Sequence, residues 1–182
     1  MPANLRYAGI KPNDTVDGVG ITVSFWVQGC EHFCRGCHNP HTWNINGGLE
    51  LPDNYIEHII GLLIKNGIKR NLSILGGEPM LEHNVSIVDN LVKAVRQQLP
   101  DTKIFLWTGY TYEELVARKD SITDSILNNI DILIDGKFEL DKRDITLWLR
   151  GSPNQRVIDM NETKKQNKII LVNQDGTYEE YH

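Results

Sequence analysis

The three cysteines of this 182-residue chain are Cys30, Cys34 and Cys37, gathered in the run GCEHFCRGCHNP. CxxxCxxC spacing lets one tight loop wrap three sulfurs around a single inorganic centre without help from elsewhere. A 4Fe-4S cubane ordinarily takes four thiolates, so three leave one iron open to a small ligand. By the logic of catalytic zinc sites, an open position signals chemistry more than structure. Two other chemistries use the same residues. A zinc site could add one of His32, His38 or His41 to the thiols and serve as an interaction module without catalysis. A redox disulfide could join Cys34 to Cys37, but it leaves Cys30 idle and lacks the helix that starts at a thioredoxin-like motif. Stapling the fold is a poor use of an odd number of crowded thiols, and free thiols suit a reducing compartment.

The rest of the composition narrows the classes. With 40% apolar and 24% charged residues, the chain has the make-up of one ordinary globular domain. Its net charge of -5 and pI near 5.7 leave no basic footprint for a phosphate backbone or an anionic membrane surface. MPANLRYAGI lacks the pattern of a secretory leader, and no apolar run approaches the ~20 residues that span a bilayer. A cytoplasmic protein that binds neither nucleic acid nor membrane is expected.

The elements that must position the thiols read as an alternation. Ile21 to Val27 is a strand, with Val23, Phe25 and Val27 on one side, running straight into Gln28-Gly29-Cys30. Residues 54–66 read as a helix: Asn54 can cap it, Glu57 follows three residues on, Ile56, Ile59, Ile60, Leu63 and Ile64 share a face, and Gly67 ends it. NLSIL is a strand that stops at Gly76-Gly77-Glu78-Pro79, and Ile87, Val88, Leu91, Val92 and Val95 mark a second helix before Pro100. KIFLW ends at Thr108-Gly109-Tyr110. Thr111 and Glu114 then form a capping-box signature, a helix covers 121–129, and DILI leads into Asp135-Gly136-Lys137.

This order predicts an α/β fold of mainly parallel strands, open or curled, and the fold expected is a partial (β/α) barrel. Residues 1–160 form a single domain in this reading, and 161–182 a C-terminal tail able to make a hairpin or edge strand. ITLWL, QRVIDM and KIILV can each be strands, and Asp175-Gly176 is a turn signal. Gly, Pro and Asp collect in turns in any case. Yet four unusual loops follow four successive strands, and ligands of parallel α/β folds bind at the C-terminal ends of strands, so one composite site is expected there.

The cysteine motif after a first strand, with GGEP after a second, resembles the radical S-adenosylmethionine superfamily. Within it the nearer likeness is to the activating proteins of anaerobic ribonucleoside-triphosphate reductase, a family of glycyl-radical activating enzymes. Cys34-Arg35-Gly36-Cys37-His38-Asn39, Thr42-Trp43, Gly76 to Pro79, Trp107-Thr108-Gly109-Tyr110, Asp135-Gly136-Lys137-Phe138, Arg150-Gly151-Ser152 and Asn154-Gln155-Arg156 look like that family's segments, in order. Asp17-Gly18-Val19-Gly20 resembles its N-terminal loop. Arg35 stands where many members have proline, Pro153 where serine is common, and the tail after Met160 runs past the shorter members.

The resemblance implies a 4Fe-4S cluster on Cys30, Cys34 and Cys37, and S-adenosylmethionine as second cofactor. Gly36, Cys37 and His38 would border its adenine, and Gly76, Gly77 and Glu78 its methionine amino group. Thr108, Asp135, Gly136 and Lys137 would face its carboxylate or ribose, with Lys137 as the carboxylate partner. No side chain is assigned proton chemistry, and Trp43 and Trp107 read as packing groups. The arginines of RGSPNQR fit a partner contact and a turn brace equally. The implied partners are the anaerobic reductase, on which a glycyl radical would be made, and a low-potential electron donor such as a flavodoxin. So short a chain has little material left to enclose a small molecule, which suits a macromolecular substrate.

Overall fold

The computed structural model describes residues 5–182; residues 1–4, where the leader reading and the 1–160 domain begin, lie outside the described residues. In chain order the regular elements are β1 (Arg6–Asp14), β2 (Thr22–Val27), β3 (Leu49–Glu50), α1 (Tyr55–Leu63), β4 (Asn71–Gly76), α2 (Glu82–Gln98) and β5 (Ile104–Trp107). There follow α3 (Tyr112–Ala117), α4 (Ser121–Asn129), β6 (Ile132–Asp135), β7 (Arg156–Asp159), α5 (Met160–Gln166), β8 (Ile170–Val172) and β9 (Tyr178–Glu180).

Among the described residues nine strands form one sheet in the order β3-β1-β2-β4-β5-β6-β7-β8-β9. The pairs β2/β4, β4/β5 and β5/β6 are parallel. The five flanking pairs are antiparallel. Where mainly parallel strands were expected, the sheet is therefore mixed, and its parallel centre is the part that carries the four loops. Strand β1 escapes a periodicity reading because RYAGIKPND contains Gly9 and Pro12 and does not alternate. It is bulged against β2, and only Arg6 and Tyr7 pair with β3, so Pro12 sits on open edge where its missing N–H costs nothing.

Period-two side chains give the sheet two faces. On one, Val23, Phe25, Leu72, Ile74, Ile104, Leu106, Leu133 and Ile158 join Ile59, Leu63, Ile87, Leu91, Val95 and Ile126 of the helices in the main core. Each such side chain contributes about 1.5–3 kcal/mol by leaving water. Helix α1 is shorter than expected, and Ile64 lies beyond it, 55% exposed, because the chain turns through a short 3-10 segment at Lys65–Gly67. The Thr111/Glu114 capping box forms in full. The opposite face holds a smaller cluster, Phe105, Ile132, Ile134 and Val157, with Trp107, Trp148, Leu149 and Val172 packed on it.

ITLWL is not a strand. Leu149 has φ +60, which breaks an extended run, and its carbonyl accepts from Trp107 Nε1 at 2.8 Å. The segment is laid across the second face as a cover. Residues after Met160 continue the sheet: β8 pairs with β7 and β9 with β8 around a turn at Asn173–Gly176. Among the described residues no helix is long and apolar enough to cross a membrane.

Candidate cluster and cofactor site

The cysteine loop leaves β2 at Gln28, whose buried side chain donates from Nε2 to the carbonyls of His41 (3.1 Å) and Asn44 (2.7 Å). Gly29 N–H donates to Thr42 O and Cys30 N–H to Trp43 O, so the loop returns onto its own root. The three thiols are free and half-buried, and all face one cavity of about 580 Å³ at the C-terminal ends of the parallel strands. The Cys37 sulfur accepts from Asn39 N–H at 3.4 Å, and the backbone N–H groups of His32 and Phe138 favour the thiolates of Cys30 and Cys34. Such bonds tune a cluster's potential. Burial pushes the Cys30 thiol up to about 11 and raises Cys34, next through Cys37. Metal binding must therefore displace their protons.

GGEP docks on that root. Gly77 N–H donates to Val27 O at 3.0 Å and Glu78 N–H to Gly29 O at 2.7 Å, and a Cβ on Gly77 would collide with the Gly29 carbonyl. The second glycine is thus required by the protein's own backbone, whatever approaches from the cavity. Glu78, 1% exposed, accepts from Met80 N–H (2.8 Å), the Thr108 hydroxyl (2.7 Å), Gly109 N–H (2.7 Å) and His32 Nε2 (2.7 Å). Two carboxylate oxygens offer about four lone-pair positions, so this acid is saturated. Expected at the methionine amino group, Glu78 lines the cavity and bolts three loops together. Gly76 and Gly77 line that side of the cavity.

His32 is the residue that sequence reasoning undervalued, weighing it only as a zinc ligand. Its ring stacks edge-on to Tyr110 at 4.6 Å and crowds Gly109 so closely that any side chain there would collide. Arg118 lies over the Tyr110 ring at 4.4 Å and donates to Met80 O. The hint in the sequence was the glycine of TGY, which leaves room for an imidazole from 77 positions earlier.

Gly36, His38, Thr108 and Gly136 also line the cavity. Two expected cofactor residues do not. Asp135, 1% exposed, is turned away to Arg156 and to Tyr112 N–H at 2.7 Å. Exposed Lys137 does not wall the cavity; its charge favours the Cys34 thiolate, and its carbonyl accepts from Asn154 Nδ2. The arginines of RGSPNQR prove to be internal braces: Arg150 donates to the carbonyls of Pro153 and Gln155, and Arg156 binds Asp135 and Glu113. Burial alone would lower the Arg156 pKa, but those two carboxylates hold it above the ordinary value.

Asp17, from the DGVG loop, lines the cavity from the other edge. Burial, then the neighbouring Asp14, pushes it up to about 6. Asp14 is opposed by burial too, yet bonds from Val16 N–H and the Ser24 hydroxyl hold it at about 2.

This donor set fits a cluster: three free thiols on a braced loop opening into a roomy cavity. Among the described residues no three His, Cys, Asp or Glu side chains are gathered as one metal ion would require, and His32 is already engaged by Glu78. The first observation weighs against a single zinc ion at the loop, and the second removes His32 from the three histidines that could complete one.

Comparison with known proteins agrees with the donor set. A family model described as a 4Fe-4S single cluster domain matches residues 16–158. The anaerobic ribonucleoside-triphosphate reductase-activating protein of Pasteurella multocida (strain Pm70) is 41% identical over 152 residues, 83% of this chain and 95% of that protein. The protein of the same name from Escherichia coli (strain K12) is 38% identical over 154 residues, covering 84% and 97%. Its namesake from Enterobacteria phage T4 is 37% identical over 153 residues, covering 84% and 93%. With a family model matching residues 16–158 and relatives 37–41% identical over more than nine-tenths of their own length, the chain belongs to the family of anaerobic ribonucleoside-triphosphate reductase-activating proteins.

Proposed function

We propose that the chain is a radical S-adenosylmethionine activase that makes a glycyl radical on anaerobic ribonucleoside-triphosphate reductase. The observation that carries this reading is the convergence of Cys30, Cys34 and Cys37 with Gly76, Gly77, Thr108 and Gly136 on one strand-end cavity. When bound, the cluster would pass one electron to the sulfonium of S-adenosylmethionine, giving methionine and a 5′-deoxyadenosyl radical able to take the α-hydrogen of a glycine. The three thiolates would hold three irons and leave the fourth for the cofactor. Carbonyls of the Gly76-Gly77 segment would accept from its ammonium group, a role consistent with Glu78 being fully occupied. Gly36 and His38 would border the adenine, and Gly136 the ribose or carboxylate.

The wall formed by 143–151 would exclude water from this chemistry. We further propose that the sheet curls as part of a (β/α) barrel, that the protein works in the cytoplasm, and that a low-potential donor such as a flavodoxin supplies the electron. The test is iron, sulfide and zinc content of anaerobically purified wild type and Cys34→Ser, followed by dithionite and S-adenosylmethionine. About four irons and 5′-deoxyadenosine from wild type alone are expected, together with a glycyl signal by paramagnetic resonance when the reductase is added. Stoichiometric zinc with no cleavage would sink the proposal, and cleavage without a glycyl signal would redirect it to another substrate.

A further inference from the structure

The tail after Met160 lies outside the 16–158 that the family model matches, yet it reaches Arg156, the partner of Asp135 at the end of β6. Its hairpin is tied down at several points. Ile170 is 3% exposed and its N–H donates to Thr163 Oγ1, Lys168 pairs with Glu180 at 2.6 Å, and Tyr181 N–H donates to Ile169 O at 3.1 Å. That last bond fixes Tyr181 beyond the end of β9. Its ring lies 4.6 Å from the Arg156 guanidinium.

Arg156 is the hub of the Gly136 side of the site. From β7 it bridges Asp135 at the end of β6 and Glu113 in the first turn of α3. Asp135 in turn accepts Tyr112 N–H, and Gly136 N–H donates to Tyr110 O, so the 135–137 loop and the 108–112 loop are locked as one piece. The groups facing Arg156 are these two carboxylates and the Tyr181 ring. An aromatic face over a guanidinium attracts it.

We infer that Tyr181 is a positioning residue for the cofactor loops, acting through Arg156 and Asp135, so that the tail braces the site of its own chain. The effect on the loops is independent of any cofactor; its consequence for S-adenosylmethionine rests on the function proposed above.

Backbone amide exchange on the full-length protein without cofactor tests the brace, comparing wild type with Tyr181→Ala and Tyr181→Phe. A cation–π contact of roughly 0.5–1 kcal/mol corresponds to about two- to fivefold. Tyr112 and Gly136 should exchange faster by that factor in Tyr181→Ala, return to wild-type rates in Tyr181→Phe, and leave β4 amides such as Ile74 unchanged. Wild-type exchange at Tyr112 in Tyr181→Ala would overturn the inference. So would equal acceleration in β4, which would make the tail a general stabiliser. On cluster-loaded protein, the dissociation constant for S-adenosylmethionine should rise by the same factor in Tyr181→Ala with kcat kept. Cluster-loaded wild type that binds no S-adenosylmethionine would refute the proposed function, and the amide rates would still decide the brace.

Discussion

Two buried carboxylates hold the two halves of this site, and they are satisfied in opposite ways. Glu78 accepts from two peptide N–H groups, a hydroxyl and an imidazole, with no lysine or arginine among its partners. Asp135 is balanced by the guanidinium of Arg156, which it shares with Glu113. The first arrangement resembles an anion cradle built from neutral dipoles; the second is a buried ion pair, whose charges each depend on the other. The halves should therefore fail differently when one partner is removed.

The largest effect on stability is expected at the ion pair. Arg156→Leu leaves Asp135 buried without its cation and should cost about 3–5 kcal/mol, read as a lower midpoint in urea. Adding Asp135→Asn should recover much of that loss, because the uncompensated charge is then gone. If the double variant is as unstable as the single one, Asp135 is not held by charge balance.

Glu78→Gln should cost less, about 1–3 kcal/mol, the penalty of one stranded donor. The amide can still accept from Met80 N–H and the Thr108 hydroxyl, and His32 can change tautomer to meet the new N–H group, but Gly109 N–H then faces a donor. A second carboxylate change at no cost, or one rivalling Arg156→Leu, would erase the contrast between the halves. Under the proposed function, a displaced GGEP segment should also weaken S-adenosylmethionine binding in this variant.

The smallest effect belongs to the acid pair at the cavity edge. Asp17 is raised from 3.8 to about 6, so its proton favours the folded state; that contribution is complete below pH 3.8 and lost as pH rises through 6. Asp14 is held at about 2 and acts the other way, its contribution present above 3.8 and lost on acidification toward 2. Asp17→Asn should stabilise the protein at pH 7 by on the order of 1 kcal/mol, since half-exposed charges are screened, and should flatten the slope of stability between pH 4 and 6. An unchanged slope would mean that Asp17 does not meet Asp14 in the folded protein.

Much of the parallel centre was legible along the chain. The strands at 22–27, 71–76, 104–107 and 132–135 and the capping box at Thr111 show themselves through local periodicity and local hydrogen bonding. ITLWL misled because an alternating run can serve as a cover over an apolar face as well as a strand, and only Leu149 and its turn decide. Strand β1 was invisible because its pairing is supplied by β2 rather than by its own pattern.

By itself the sequence determined which atoms could bind iron and where they hang. Three thiols within one loop, placed after a strand, are ligands chosen by spacing, and spacing is local. Only the tertiary structure decided which polar side chains face the cavity and which hold its walls. Glu78 and Asp135 read alike as cofactor residues. Partners lie 30 and 46 positions away in other loops for Glu78, and 21 positions away on strand β7 for Asp135. Such pairings arise because a buried carboxylate must find donors wherever folding brings them, and no period in the chain records who they will be.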